Sequence, residues 1–330
     1  MVRIGIYLPV YGGWLPSRES VRAELDGVFY EGENERPPAY EYVREVALEA
    51  ERIGVDSLWI PDHMLNPIKG ESAPALEAWT TAVAVAEATE RVTIVHTTLC
   101  EAFRYPAVLA KQAATLAEIS KGRFWLSIGA GWYRREYEAY GLPYFRHDER
   151  VEKARETIQI VRKLWTEDEV TFEGKYYSVN KGVLVPKPEP LPPIWYAGMS
   201  EASRDLVASV ADGWLMRGLS LEDAKKYLHE MRDRLREKGR EDIEYALPGL
   251  TFIRDTDDEA KELVWKLTGG KKAVLDRTLD TGLVGSPETV ARKIRQFEEI
   301  GIDHVIMQLS PTLDELKNVR KVLDILKGRS

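Results

Sequence analysis

The chain has 330 residues, 44% of them hydrophobic and 30% charged, and carries a formal net charge of −8. That is enough apolar sequence for a large core, and an acidic chain argues against nucleic acid and anionic membranes as partners, although a local basic patch can still hold a phosphate. A single cysteine, Cys100, rules out an internal disulfide, and no apolar run approaches the roughly 18 residues of a spanning helix.

The N-terminal residues run straight into a strand pattern over 3–10, without a signal-peptide core, so a soluble cytoplasmic protein is expected. Residues 40–53 place Val43, Val46, Ala47, Ala50 and Ile53 at helical spacing, and Gly54 stands where a helix-ending glycine belongs. A second strand is predicted at 56–61, a helix at 76–89, and a third strand at 91–98. A helix at 106–120 follows, with Pro106 at its first position, then a fourth strand at 123–129 and a helix at 149–165. Residues 170–179 break the rhythm and read as a small β-hairpin turning at Glu173-Gly174-Lys175. A proline-rich link over 186–193 leads to a fifth strand at 194–197, a helix at 201–210, and a short sixth strand at 212–216. The charged stretch 221–238 is helical, 243–253 contains the seventh strand, and 257–267 is helical. Residues 269–285 show no clear periodicity. A helix at 287–300, an eighth strand at 304–309 and a closing helix at 313–326 complete the chain.

Strands alternating with helices argue for a parallel sheet, and eight such units predict a (β/α)8 TIM barrel with insertions at its C-terminal face, one domain over residues 1–330. The rival is an open doubly wound sheet. It would want a glycine-rich fingerprint after the first strand, but the sequence there is Pro9-Val10-Tyr11-Gly12-Gly13-Trp14.

Barrels of this kind carry their chemistry at the strand C-terminal ends. That rule selects Tyr11 to Trp14, Asp62-His63, Thr97-Thr98, Gly129 to Trp132, Gly198 to Ser200, Met216 to Gly218 and Ser310. His63 can move a proton near neutral pH, or can simply hydrogen-bond a loop. Gly129-Ala130-Gly131-Trp132 would let a flat ring approach the backbone, or make only a tight turn with a packed tryptophan. Gly198-Met199-Ser200 opens a helix and suits either a phosphate cradle or a plain N-cap. Arg150 can reach a phosphate or pair on the surface. The histidines lack metal-ligand spacing, so no metal site is expected, and no G-x-S-x-G elbow, CxxC pair or P-loop occurs.

Taken together, Trp59 to His63, Leu109-Ala110-Lys111-Gln112-Ala113-Ala114-Thr115-Leu116 with Gly122-Arg123, residues 129–141, His147 to Arg150, and Pro186-Lys187-Pro188 leading to Gly198-Met199-Ser200 resemble the luciferase-like flavin-dependent oxidoreductase family. The resemblance spans nearly the whole chain. It implies a barrel with an inserted mobile segment, here 269–285, and reduced FMN delivered by a separate flavin reductase. It puts Asp62 and His63 beside the isoalloxazine, Ser127 and Glu136 in the flavin site, Arg150, Val151 and Ser200 along the phosphate, and His63 at the catalytic histidine. Gly198 and Met199 join the cofactor set, and Tyr11, Trp14, Trp132, Met216 and Ser310 the substrate set. The expected reaction is oxygenation of a small organic molecule by molecular oxygen. A deazaflavin-dependent dehydrogenase is the alternative, and a non-catalytic flavin-binding barrel a third possibility. A homodimer through the alanine-rich helices at 76–89 and 106–120 is also expected. One departure is clear. Alkanesulfonate monooxygenases carry an Arg-x-His pair on the seventh strand and a tyrosine after the eighth, where this chain has Pro248-Gly249-Leu250 and Ser310.

Overall fold

Strands that are apolar on both faces, such as residues 57–60, have to be covered on both sides. In the computed structural model, which describes residues 1–22, 30 and 38–328, this is achieved by closing the sheet on itself and wrapping it in helices. Eight strands run parallel in chain order: β1 (Arg3–Tyr7), β2 (Ser57–Ile60), β3 (Thr93–His96), β4 (Phe124–Gly129), β5 (Ile194–Ala197), β6 (Gly213–Leu215), β7 (Glu244–Ile253) and β8 (His304–Gln308). The ring closes where β8 pairs with β1, His304 opposite Arg3 and Ile306 opposite Gly5. The chain is thus a (β/α)8 barrel, as the alternation of elements predicted.

Large rings fill the barrel interior. Trp125 of β4 stacks on Trp195 of β5 at 5.5 Å, and Trp59 of β2 meets Trp195 edge-on at 5.9 Å. His304 of β8 touches both Trp125 and Trp195, at 5.2 and 5.4 Å. Side chains from four strands can meet only across the barrel axis. Two glycines make the space: a Cβ on Gly5 would stand 2.6 Å from Trp59 Nε1, and one on Gly213 would stand 2.2 Å from the Trp195 ring. At the N-terminal end of the barrel Glu244 accepts from Arg3 and lies 3.2 Å from His304 Nε2.

The hairpin is present, with strands Val170–Glu173 and Ser178–Gly182, so its second strand extends beyond residue 179. It is pinned by Glu156, whose carboxylate accepts from the backbone N–H groups of Lys175, Tyr176 and Tyr177 at 2.7, 3.0 and 3.0 Å. Four pieces of structure went unread in the sequence: the helix Arg134–Ala139 after β4, the short strand Leu99–Cys100 beside the end of β4, the 3-10 turn Glu101–Phe103 that follows it, and the content of residues 269–285. The last holds a helix, Lys272–Thr281, and a strand, Leu283–Gly285, paired with the end of β7. The apolar signal of the helix is weak because Arg277, Thr278 and Thr281 line a cavity, while only Val274 and Leu275 pack on a small core cluster of Leu15, Tyr30, Phe252 and Val264. No described helix is long and apolar enough to cross a membrane.

Candidate active site

A cavity of about 610 Å³ opens at the C-terminal ends of the strands. Its lining includes Tyr11, Trp14, Asp62, His63, Trp132, Glu136, Gly198, Met199, Ser200 and Met216. Four other residues picked from the sequence are placed elsewhere. Ser127, Arg150 and Val151 are buried behind the wall, and Ser310 is not among the lining residues.

His63 sits in the turn after β2, with a carboxylate behind it. Its Nδ1 lies 2.9 Å from Glu136 Oε2, and Glu136 is 2% exposed. The short helix Arg134–Ala139 brings Glu136 there. The other carboxylate oxygen accepts from the N–H groups of Met64 and Leu65 at 2.6 and 2.9 Å, so the loop carrying His63 is tied to the same group. An ionised carboxylate only accepts, so Nδ1 carries the proton and Nε2 is left to accept one. Tyr11, Trp132 and Tyr133 surround the imidazole, with ring centroids 6.0, 5.3 and 6.1 Å away. Asp62 has a different task. It accepts from Arg104 at 2.7 and 3.2 Å and from the Cys100 N–H at 2.8 Å, a paired carboxylate that fixes the strand ends.

The wall after β4 is glycine for a steric reason. A Cβ on Gly129 would stand 2.3 Å from Thr98 Oγ1. Gly131 has φ +72°, and a Cβ there would stand 2.0 Å from the Tyr137 hydroxyl. That hydroxyl lies 3.1 Å from Cys100 Sγ and 3.2 Å from the Ala130 carbonyl oxygen. The absent side chains therefore let Thr98 and Tyr137 close on this backbone, and Gly129, Ala130 and Gly131 border the cavity.

After β5, Gly198 has φ +155°, and a Cβ would meet Ser203 Oγ at 2.5 Å. Ser200 caps the helix Glu201–Val210 by accepting from the Ser203 N–H. Its hydroxyl also lies 2.8 Å from His147 Nε2 at the start of the helix His147–Thr166. Two helix N-termini thus meet at one edge of the cavity, and their free N–H groups favour an anion. Arg150 is directed to the Phe145 carbonyl oxygen and over the Tyr144 ring, 4.1 Å from its centroid. Burial, and then the Arg150 charge, holds the His147 imidazole below the usual histidine range.

Sequence reasoning named His147 only within the segment His147 to Arg150 that carries the family resemblance and did not find Arg277, Thr278 or Thr281. The usable signal was their spacing with Val274, which puts all four on one helix face. Tyr11 Oη and Trp14 Nε1 are buried without a hydrogen-bond partner among the described residues. No cluster of three metal-ligating side chains occurs among them either.

Residues 14–278 match the family described as luciferase-like monooxygenase. The FMNH(2)-dependent dimethylsulfone monooxygenase of Pseudomonas putida is 27% identical over 305 residues, covering 81% of this chain and 82% of that protein. The F420-dependent glucose-6-phosphate dehydrogenase of Amycolatopsis mediterranei is 29% identical over 291 residues, covering 79% and 86%. The structure of EDTA monooxygenase from Chelativorans sp. BNC1 superposes with a TM-score of 0.80 at 19% identity, covering 99% of this chain and 94% of that one.

Proposed function

Since this chain belongs to the luciferase-like monooxygenase family, we propose that it is an oxidoreductase that uses reduced FMN and molecular oxygen to oxygenate a small organic substrate. The observation that carries this reading is the pairing, in one cavity, of a carboxylate-oriented histidine with a helix-start anion site. The residues fit the cofactor. A volume of about 610 Å³ lies in the range of cofactor pockets. Gly129, Ala130 and Gly131 give the cavity a wall of small residues beside which a flat ring can lie, and the N–H groups after Ser200 suit a compact dianion. Bound there, reduced FMN supplies the electrons that activate oxygen.

The chain's own residues do the rest. Ser200 and the first N–H groups of Glu201–Val210 hold the phosphate, with His147 beside them and the charge of Arg150 beneath. Gly198 and Met199 shape the approach to that edge. Asp62, Ser127 and Val151 brace the wall. His63 moves a proton at Nε2 while Glu136 keeps its ring in register, a general acid–base contribution of about 10²- to 10⁴-fold. Tyr11, Trp14, Trp132 and Met216 line the substrate's side and exclude water. A separate reductase supplies the reduced flavin, and the protein acts as a homodimer.

The similarity to an F420-dependent dehydrogenase favours one second reading, hydride transfer to or from a deazaflavin. Anaerobic titration with reduced FMN, riboflavin and the deazaflavin separates the two. The FMN reading expects reduced FMN to bind tightest and product to form only with oxygen. Micromolar binding of the deazaflavin, with no binding of reduced FMN, would replace it with the dehydrogenase.

A further inference from the structure

Arg217 follows β6 and Arg277 lies midway along Lys272–Thr281. Both line the cavity and both are exposed at its mouth. Neither guanidinium makes an ion pair or a hydrogen bond among the described residues. They flank the same opening. Val274, Arg277, Thr278 and Thr281 recur at helical spacing, so one face of that helix roofs the cavity. Its position is tied to the loop after β1 by a 3.1 Å hydrogen bond between the hydroxyls of Tyr30 and Thr278. A Cβ on Gly218 would stand 3.9 Å from the Thr281 carbonyl oxygen, so the loop carrying Arg217 borders the C-terminal end of the same helix.

Among the described residues no lining carboxylate neutralises these charges: of those residues Asp62 and Glu136 line the cavity, and both are engaged, Asp62 with Arg104 and Glu136 with His63, Met64 and Leu65. Among the described residues, the cavity-lining groups on the β1 side that are buried without partners are Tyr11 Oη and Trp14 Nε1. An indole N–H only donates, and burial pushes the Tyr11 phenol well above its ordinary range, so it too presents a hydrogen. Unpaired groups on the β6, β7 and β1 sides therefore offer positive charge or hydrogen-bond donors. A ligand that complements them is rich in acceptors and negatively charged. A chain of net charge −8 repels such a ligand at long range, and a local cationic rim offsets that repulsion within the roughly 8 Å over which charge is felt at physiological salt.

We propose that Arg217 and Arg277 form an anion-receiving rim, and that the substrate of this cavity is a small organic anion bearing a carboxylate, sulfonate or phosphate group. The inference rests on the monooxygenase reading for the word substrate, but the rim itself is tested by binding alone. It is distinct from the anion site after β5, where Ser200 and His147 meet.

The probes are 4-phenylbutyrate, 3-phenylpropane-1-sulfonate and the neutral isostere 4-phenylbutanamide, titrated calorimetrically into the full chain with and without oxidised FMN. The anions are expected to bind about ten-fold tighter than the amide, and the difference to vanish near about 1 M salt, where screening acts within about 3 Å. Arg217→Gln and Arg277→Gln, both at exposed positions that the fold tolerates, each reduce the preference about five-fold, and the double variant abolishes it. In all three variants the preference for FMN over riboflavin stays as in the parent. An amide that binds as well as the anions overturns the proposal, as does an anion preference that survives the double substitution. A loss of FMN preference in the variants would also overturn it, because the arginines would then serve the cofactor's phosphate. Failure to bind reduced FMN with the anion preference intact would refute the flavin reading and leave the rim standing.

Discussion

At the residue scale, the site depends on one contact, His63 Nδ1 at 2.9 Å from Glu136 Oε2, in which an ionised carboxylate leaves Nδ1 as the donor. His63→Ala should leave flavin affinity within a few-fold and lower turnover about 10²-fold or more. Steady-state kinetics with flavin titration checks this, and near-parental turnover would make His63 structural. Glu136→Gln makes a sharper point. The amide oxygen can still accept from Met64 and Leu65, but the amide N–H₂ then faces Nδ1 and turns it into an acceptor. The exchangeable proton moves to Nε2, the atom facing the cavity. We expect kcat to fall about 10- to 100-fold with KM nearly constant, the pattern of an interaction lost in the transition state. A rise in KM alone would mean that Glu136 only braces the loop. His63 was legible because a histidine after a barrel strand is an economical proton carrier. Its partner was legible only through the family resemblance, since Glu136 lies 73 positions away and inside a helix that the sequence did not reveal. The pairing of His147 with Ser200 was hidden for the same reason, 53 positions of separation.

At the scale of elements, the strands and helices were readable to within a few residues, because each buries a stripe of its own period. What escaped was structure whose inner face meets a cavity. Lys272–Thr281 turns Arg277 and Thr278 inward, so hydrophobic spacing cannot announce it. That helix has only Thr278 fully buried, which is few contacts for ten residues. Limited proteolysis should therefore cut within residues 269–281 first, and reduced FMN with substrate should slow the cut. Equal cleavage in both conditions would argue against closure over the mouth. The turn after β4 behaves oppositely. Gly131→Ala meets the Tyr137 hydroxyl and a positive φ together, so it should cost about 1–3 kcal/mol of stability, read as a lowered Tm. An unchanged Tm would mean the wall can shift.

For the whole molecule, two groups with displaced pKa values, His96 and Glu244, contribute to its response to acid. His96 is fully buried against Trp79, with ring centroids 5.4 Å apart, and burial pushes its pKa down to about 3 from an ordinary 6.5. The folded state refuses a proton that the unfolded chain accepts, so this stability is full above pH 6.5 and drains as the pH falls toward 3. Glu244 adds to the trend. Burial would raise it, but hydrogen bonds from His304 and Arg3 outweigh that and hold it near 2, so its contribution is lost below pH 4.5. Urea melts of His96→Phe should show a smaller drop in stability between pH 7 and pH 5 than the parent, and an equal drop would remove His96 as the cause. Assembly is decided on the outside. Ala82, Ala86, Ala110, Ala113 and Ala114 pack into the chain's own core, whereas Tyr105, Val108, Val183 and Val185 are exposed. A homodimer should bury that second set, so light scattering at micromolar concentration should give twice the 37.6 kDa chain mass and Val108→Glu should return it to one chain. A single-chain mass for the parent would discard the dimer. The distribution of indoles has an optical consequence. Trp59 and Trp125 each pack on Trp195 at the barrel axis, with ring centroids 5.9 and 5.5 Å away, while Trp14 and Trp132 stand at the cavity wall. Light absorbed by any of them can pass to an oxidised isoalloxazine held above the axis, so the chain's own emission becomes the gauge of its occupancy.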